Sequence, residues 1–101
     1  MLIIEYTFTR PNELVDFYLP TEMEAVSDEI RNAHGIGDMI GFSDDLSLDN
    51  LVMTRTIFIL DDAALTRLAS NVTLSANAKA RISYNDANGI TESVLYHRPE
   101  G

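Results

Sequence analysis

The sequence predicts one α+β domain spanning residues 1–101: an antiparallel sheet with two helices on one face, in the order strand, helix, strand, strand, helix, strand, plus an additional C-terminal strand. Three observations carry this expectation. Residues 2–9 alternate with period two, residues 20–33 place apolar side chains at helical spacing, and residues 51–60 form a β-branched run that is apolar on both sides in its second half. A chain of 101 residues is the size of a single domain and can bury one ordinary core.

In the first strand Leu2, Ile4, Tyr6 and Phe8 share one side and Ile3, Glu5, Thr7 and Thr9 the other, and Arg10-Pro11-Asn12 closes it. Glu13 to Leu19 reads as a helical turn or loop on the core, because Pro20 pushes its predecessor out of the helical region. The first helix runs from Pro20 to Ala33. Glu22 and Glu24 suit its positive end, Arg31 and His34 its negative end, and Met23, Val26, Ile30 and Ala33 form its buried stripe. Gly35 or Gly37 supplies the left-handed residue that ends it.

A second strand follows from Asp38 to Ser43, with Asp44 to Asp49 an acidic loop or a continuation of that strand. The strand from Leu51 to Leu60 points Ile57 and Ile59 one way and Phe58 and Leu60 the other, which requires a cover on each face. Asp61 or Asp62 then caps a second helix from Ala63 to about Asn71, with Ala64, Leu65, Leu68, Ala69 and Val72 inward. Residues 73–77 read as a connector. Asp86-Ala87-Asn88-Gly89 matches a type I turn closed by a left-handed glycine, so residues 78–85 and 90–98 are expected to pair as a β-hairpin. The register that keeps the core apolar puts Ile90, Glu92, Val94 and Tyr96 on one face and Thr91, Ser93, Leu95 and His97 on the other.

Composition excludes several functions. The chain has no cysteine, which removes disulfides, thiolate metal sites and Cys nucleophiles. A formal charge of −9 opposes phosphate backbones and anionic lipid, so neither nucleic acid nor membrane is expected as a partner. The N-terminus lacks a basic region and no apolar run approaches a membrane span, which points to a cytoplasmic protein. The Asn71-Val72-Thr73 sequon is read as accidental in that setting.

The glycines at 35, 37 and 41 lie between helix and strand, the wrong context for a dinucleotide loop, and a calcium loop centred on Gly89 would need Tyr84 and Leu95 as ligands. With two histidines, His34 and His97, no metal centre and no cofactor are expected. The series Asp38, Asp44, Asp45, Asp49, Asp61 and Asp62 is read as turn formers, caps and a solvated rim in preference to a cation site.

Four residues remain as candidates. His97, on the polar hairpin face, has the chemistry of a general base if that face lines a cleft, and Tyr84 and Tyr6 are polar groups placed to meet a ligand beside the sheet. Arg55 lies inside the central strand on the side of Met53 and Ile57. It is expected to pair with Glu5 or to bind an anionic ligand.

The first six elements form the split βαβ, ferredoxin-like arrangement. With the doubly apolar strand, this order resembles the dimeric α+β barrel proteins, in which two such sheets pack face to face. The resemblance implies a homodimer in which a second copy of the chain covers the free face. It also implies a superfamily of cofactor-free oxygenases and isomerases, haem-degrading enzymes, stress-response proteins and ligand-sensing regulators; no catalytic motif of any member matches residues here, so it assigns no site. The main reading is thus a small homodimeric ligand- or partner-binding domain without catalytic apparatus of its own. The alternative is a cofactor-free enzyme, oxygenase- or isomerase-like, acting on a small organic molecule between sheet and helices. A viral accessory or assembly subunit is a third reading.

Overall fold

The structure is a computed structural model and describes residues 1–99. Its elements in chain order are β1 (Leu2–Thr9), α1 (Met23–Gly35), β2 (Met39–Leu46), β3 (Val52–Ile59), α2 (Asp62–Ser70), α3 (Val72–Asn88) and β4 (Thr91–His97). The four strands form one sheet in the order β2-β3-β1-β4, with every neighbouring pair antiparallel. This is the ferredoxin-like α+β fold.

Register fixes which side chains meet the helices. Leu2 pairs with Ile59, Ile4 with Ile57, Tyr6 with Arg55 and Phe8 with Met53, so these eight share one face. Ala64 of α2 is wholly buried against Leu2, Ile4 and Ile59, with Leu65 and Leu68 beside it. A larger residue than alanine would hold the helix off the sheet, and α2 is brought to that point by Asp61, whose carboxylate accepts from the Ala64 N–H at 2.8 Å. In α1 Val26 and Ala33 are buried and Ile30 is half-buried, but Met23 is exposed because the helix begins there and not at Pro20. Gly37, at φ +86°, turns the chain out of α1 into β2.

The additional C-terminal strand is corrected. Residues 78–85 belong to α3, the sheet has four strands among the described residues, and β4 pairs with β1 instead of with a hairpin partner. Two capping interactions decide this. Asn71 leaves the helical region (φ −68°, ψ 122°), ends α2, and accepts from the Leu74 N–H at 3.0 Å to start α3 one residue later. At the other end Gly89 does have positive φ, +70°, but as the left-handed terminator of α3, with the Ile90 N–H bonded back to the Asn85 carbonyl at 2.9 Å. The same glycine geometry closes a hairpin turn or a helix. The alternation of β4 is as expected, with Glu92, Val94 and Tyr96 on the side of Phe8, Tyr6 and Ile4.

Packing of α2 on Leu2 and Ile59, and of α3 over Tyr6 and Phe8, puts the helices on one face of the sheet. The opposite face carries, row by row, Phe58, Ile3 and His97, then Thr56, Glu5 and Leu95, then Thr54, Thr7 and Ser93, and last Val52, Thr9 and Thr91. Among the described residues no helix is long and apolar enough to cross a membrane.

Candidate functional site

The helix-covered face changes character along β1. Beyond Ile4 its side chains are Tyr6 and Phe8, whose rings stack in parallel at 5.9 Å. On one side stands Arg55 of β3. Asp44 of β2 lies directly across from it in register and receives Nε at 2.8 Å and Nη2 at 3.0 Å. The guanidinium is held between two rings, 5.1 Å from the Phe42 centroid and 5.7 Å from that of Phe8. The expected partner Glu5 is therefore corrected: it pairs with Thr56, and a one-residue offset places it on the opposite face.

On the other side α3 delivers Arg81. Its guanidinium lies 5.0 Å from the Tyr6 ring and 5.7 Å from Phe8, and its Nε donates to Glu92 of β4 at 2.6 Å. Burial pushes the Tyr6 hydroxyl above its ordinary pKa, against the lowering influence of Arg81, so Tyr6 stays protonated at neutral pH.

The segment between β1 and α1 forms the roof. Arg10 lies 4.5 Å over Phe17 and is held by the carbonyls of Asn50 at 2.7 Å and Val15 at 3.1 Å. The Tyr18 hydroxyl donates to Asn77 at 3.0 Å, and the Tyr84 hydroxyl donates to the Asp16 carbonyl at 2.6 Å. Phe8, Phe17, Tyr18, Met53, Arg55, Arg81 and Asn85 enclose a space of about 10 Å³. That is no more than room for one water, so the site is shut in this conformation.

The expected residues separate. Arg55 lines this enclosure, Tyr6 lies next to it beneath Arg81 and stacked on Phe8, Tyr84 ties α3 to the roof segment, and His97 lies on the opposite sheet face, exposed beside Ile3. Sequence reasoning missed Arg81, Asn85, Glu92, Phe17 and Tyr18 as members. The available signal was the spacing of Asn77, Arg81, Asn85 and Asn88, a polar stripe with helical period that apolar periodicity does not register.

A second hollow of about 630 Å³ opens between α1 and the edge strand β2, lined by Ile30, Arg31, His34, Met39 and Phe42. The acidic series holds caps and ion pairs. Asp38 receives both Nε and Nη2 of Arg67, at 2.9 and 2.7 Å, and these bonds hold its carboxyl below the ordinary carboxylate range. Asp61 caps α2, Asp62 pairs with Arg98, and Asp49 accepts from Ser47. Among the described residues no three His, Asp or Glu side chains converge on a metal site.

No family model and no curated relative matches the chain. Solved structures do. A candidate antibiotic biosynthesis monooxygenase from Deinococcus radiodurans superposes with a TM-score of 0.63 at 10% identity, over 100% of this chain and 94% of its own. SnoaB, a cofactor-independent oxygenase from Streptomyces nogalater, gives 0.63 at 13% identity, over 99% of this chain and 93% of that one. A dimeric ferredoxin-like protein from an uncultured marine organism gives 0.53 at 12% identity, over 99% and 97%. At such identities the likeness is one of fold alone, and by that measure the chain shares the ferredoxin-like fold of these structures.

Proposed function

We propose that this chain is a homodimeric enzyme of the cofactor-independent oxygenase kind, acting on a small organic molecule held between sheet and helices over Tyr6 and Phe8. The observation that carries the reading is the pairing of two largely buried guanidinium groups, Arg55 and Arg81, across two stacked aromatic rings in an enclosed space. Such a floor suits a flat substrate whose oxygen becomes negative during reaction. An activated CH₂ beside a carbonyl, acidic enough to give its proton to water, becomes an enolate, which donates electrons to dioxygen; the hydroperoxide so formed takes up that proton's equivalent and loses water, so that overall CH₂ and O₂ become C=O and H₂O. Arg55 and Arg81 would stabilise the enolate oxygen, and protonated Tyr6 would donate to it. The fold shared with SnoaB and the Deinococcus protein supports this reading over one without catalysis.

Oxygen uptake by the purified protein tests it, with 1,3-diketones and hydroxynaphthalenones as substrates. Uptake above buffer that falls at least about tenfold in Arg81→Met is expected; uptake equal to buffer for every compound refutes catalysis. Closure of the site to about 10 Å³ favours a second reading, ligand binding without chemistry, and compounds that raise the melting temperature without consuming oxygen would select it.

The dimer belongs to the same proposal. Ile3, Phe58 and Leu95 are the large apolar side chains at one end of the helix-free sheet face, interleaved with Glu5 and His97, and a second copy would pack over them, burying more than about 1,200 Å² in total. Sedimentation equilibrium at micromolar concentration is expected to give twice the chain mass, and a single-chain mass at all loadings removes the dimer.

A further inference from the structure

The side chains around the enclosed space do not spend all their hydrogen-bonding capacity on one another, and the groups left over are not sealed in: among the described residues no fully buried side-chain nitrogen or oxygen lacks a partner, so these open onto water-accessible space. Asp44 uses both oxygens on Arg55, but Glu92 engages only Nε of Arg81. The Nη1 and Nη2 groups of Arg81 donate to nothing among the described residues, although that side chain is only 13% exposed. Asn85, 4% exposed and lining the same space, likewise makes no side-chain hydrogen bond among the described residues. What remains open is the terminal edge of one guanidinium, a fork of parallel N–H groups, with a carboxamide donor nearby and aromatic walls from Phe8, Phe17 and Tyr18.

A fork of that kind is matched by an acceptor with two coplanar oxygens. We propose that the ligand of this site is a small aromatic carboxylate, its carboxylate seated on Nη1 and Nη2 of Arg81 with Asn85 alongside, and its ring lying over Phe8. This deepens, and rests on, the reading of the enclosure as a substrate site. Entry requires the roof to lift. Tyr18 to Asn77 and Tyr84 to Asp16 are the hydrogen bonds that tie the roof segment to α3, and both are made by tyrosine hydroxyls at the margin of the site.

Titration calorimetry with sodium 1-naphthoate, and with 1-naphthamide as the uncharged match, tests the proposal. Naphthoate is expected to bind at least about tenfold more tightly than the amide, and Arg81→Lys, which keeps the charge and loses the fork, to abolish most of that preference. Equal affinities, no binding of naphthoate, or an undiminished preference in Arg81→Lys overturns it. If circular dichroism shows Arg81→Lys unfolded, Asn85→Asp serves instead: a second carboxylate beside the fork is expected to weaken naphthoate at least about tenfold while sparing the amide, and unchanged naphthoate affinity overturns the proposal. Binding without oxygen uptake would remove the oxygenase reading and leave this one standing, whereas uptake on neutral substrates without naphthoate binding would do the reverse.

Discussion

Two ends of the same sheet face are built on opposite principles. Under α2 the floor is Leu2, Ile4 and Ile59, closed by Ala64, with the Tyr6 ring packed at its border and aliphatic side chains everywhere else in the cluster. Under α3 the floor is Tyr6, Phe8, Arg55 and Glu92, closed by Arg81 and Asn85. Both ends are buried by helices lying on one sheet, but only the first is buried for its own stability. Transfer of aliphatic surface drives the α2 end. The α3 end buries charge, which is costly unless paired, and each arginine there has its carboxylate. Burial of that kind contributes little to folding, which is why that end is the candidate site.

The largest effect expected from this contrast is at the α2 end. Ile59 is 2% exposed, and Ile59→Ala removes packed methyl groups from a cluster with no room to collapse, at a cost of about 3 kcal/mol in urea unfolding. A loss below about 1 kcal/mol would show that the apolar end is not the stabilising one. At the α3 end the answer depends on how many partners are removed. Arg81→Met leaves the Glu92 carboxylate, 20% exposed, without its cation and should cost about 2 kcal/mol. Replacing Arg81 and Glu92 together by methionine should return stability to within about 1 kcal/mol of the parent chain while removing naphthoate binding. A double variant as unstable as the single one would mean that the polar end holds the fold together, and the contrast would fail.

The same contrast decides what could be read from the sequence. β1, β3, α1 and α2 announce themselves because their inward faces are apolar, and period two or period 3.6 is then visible in Leu2-Ile4-Tyr6-Phe8 or Ala64-Leu65-Leu68. α3 does not. Its inward positions include Asn77, Arg81 and Asn85, while Ile82, within the segment expected as a strand, is 48% exposed. Hydrophobic periodicity finds elements whose inward side chains are apolar and overlooks one whose inward side chains are polar, so the misread segment and the candidate site coincide. Arg55 was legible as an anomaly, an arginine within a central strand. Its partner was not, because choosing between Glu5 and Asp44 needs the pairing of β1, β2 and β3.

A smaller effect concerns the junction behind the α2 end, where Asp38 and Arg67 tie the start of β2 to α2. The hydrogen bonds from Arg67 lower the Asp38 pKa from its ordinary 3.8. For a carboxyl depressed by folding, the stabilisation is fully present above the unfolded pKa, roughly 4, and is lost as pH falls through the lower folded value. Asp38→Asn should therefore flatten the acid limb of stability below about pH 4 and leave the neutral-to-alkaline profile unchanged in shape. An acid limb identical to that of the parent chain would take the ion pair out of the account.

The smallest effects come from two glycines that end helices by different means, and they test whether α3 is a helix at all. Gly89 sits at φ +70°, and a Cβ there would meet Pro11 at 3.7 Å, an ordinary contact. Space is not the obstacle; the left-handed backbone is. Gly89→Ala should cost about 1 kcal/mol, read as a lower urea midpoint at constant slope. Gly35 is the last residue of α1, without positive φ and with nothing within 4 Å of an added Cβ. Gly35→Ala should gain about 0.5 kcal/mol by narrowing the unfolded ensemble. Because both a hairpin and a helix terminator strain an alanine at Gly89, midpoints alone do not separate them, so far-ultraviolet circular dichroism is needed beside them. With α3 as a helix, Ala80→Gly, at an exposed position inside it, should lose about 1 kcal/mol together with helical signal on partial unfolding. An unchanged helical signal and midpoint would return residues 78–85 to a strand and dissolve the floor on which Arg81 and Asn85 meet.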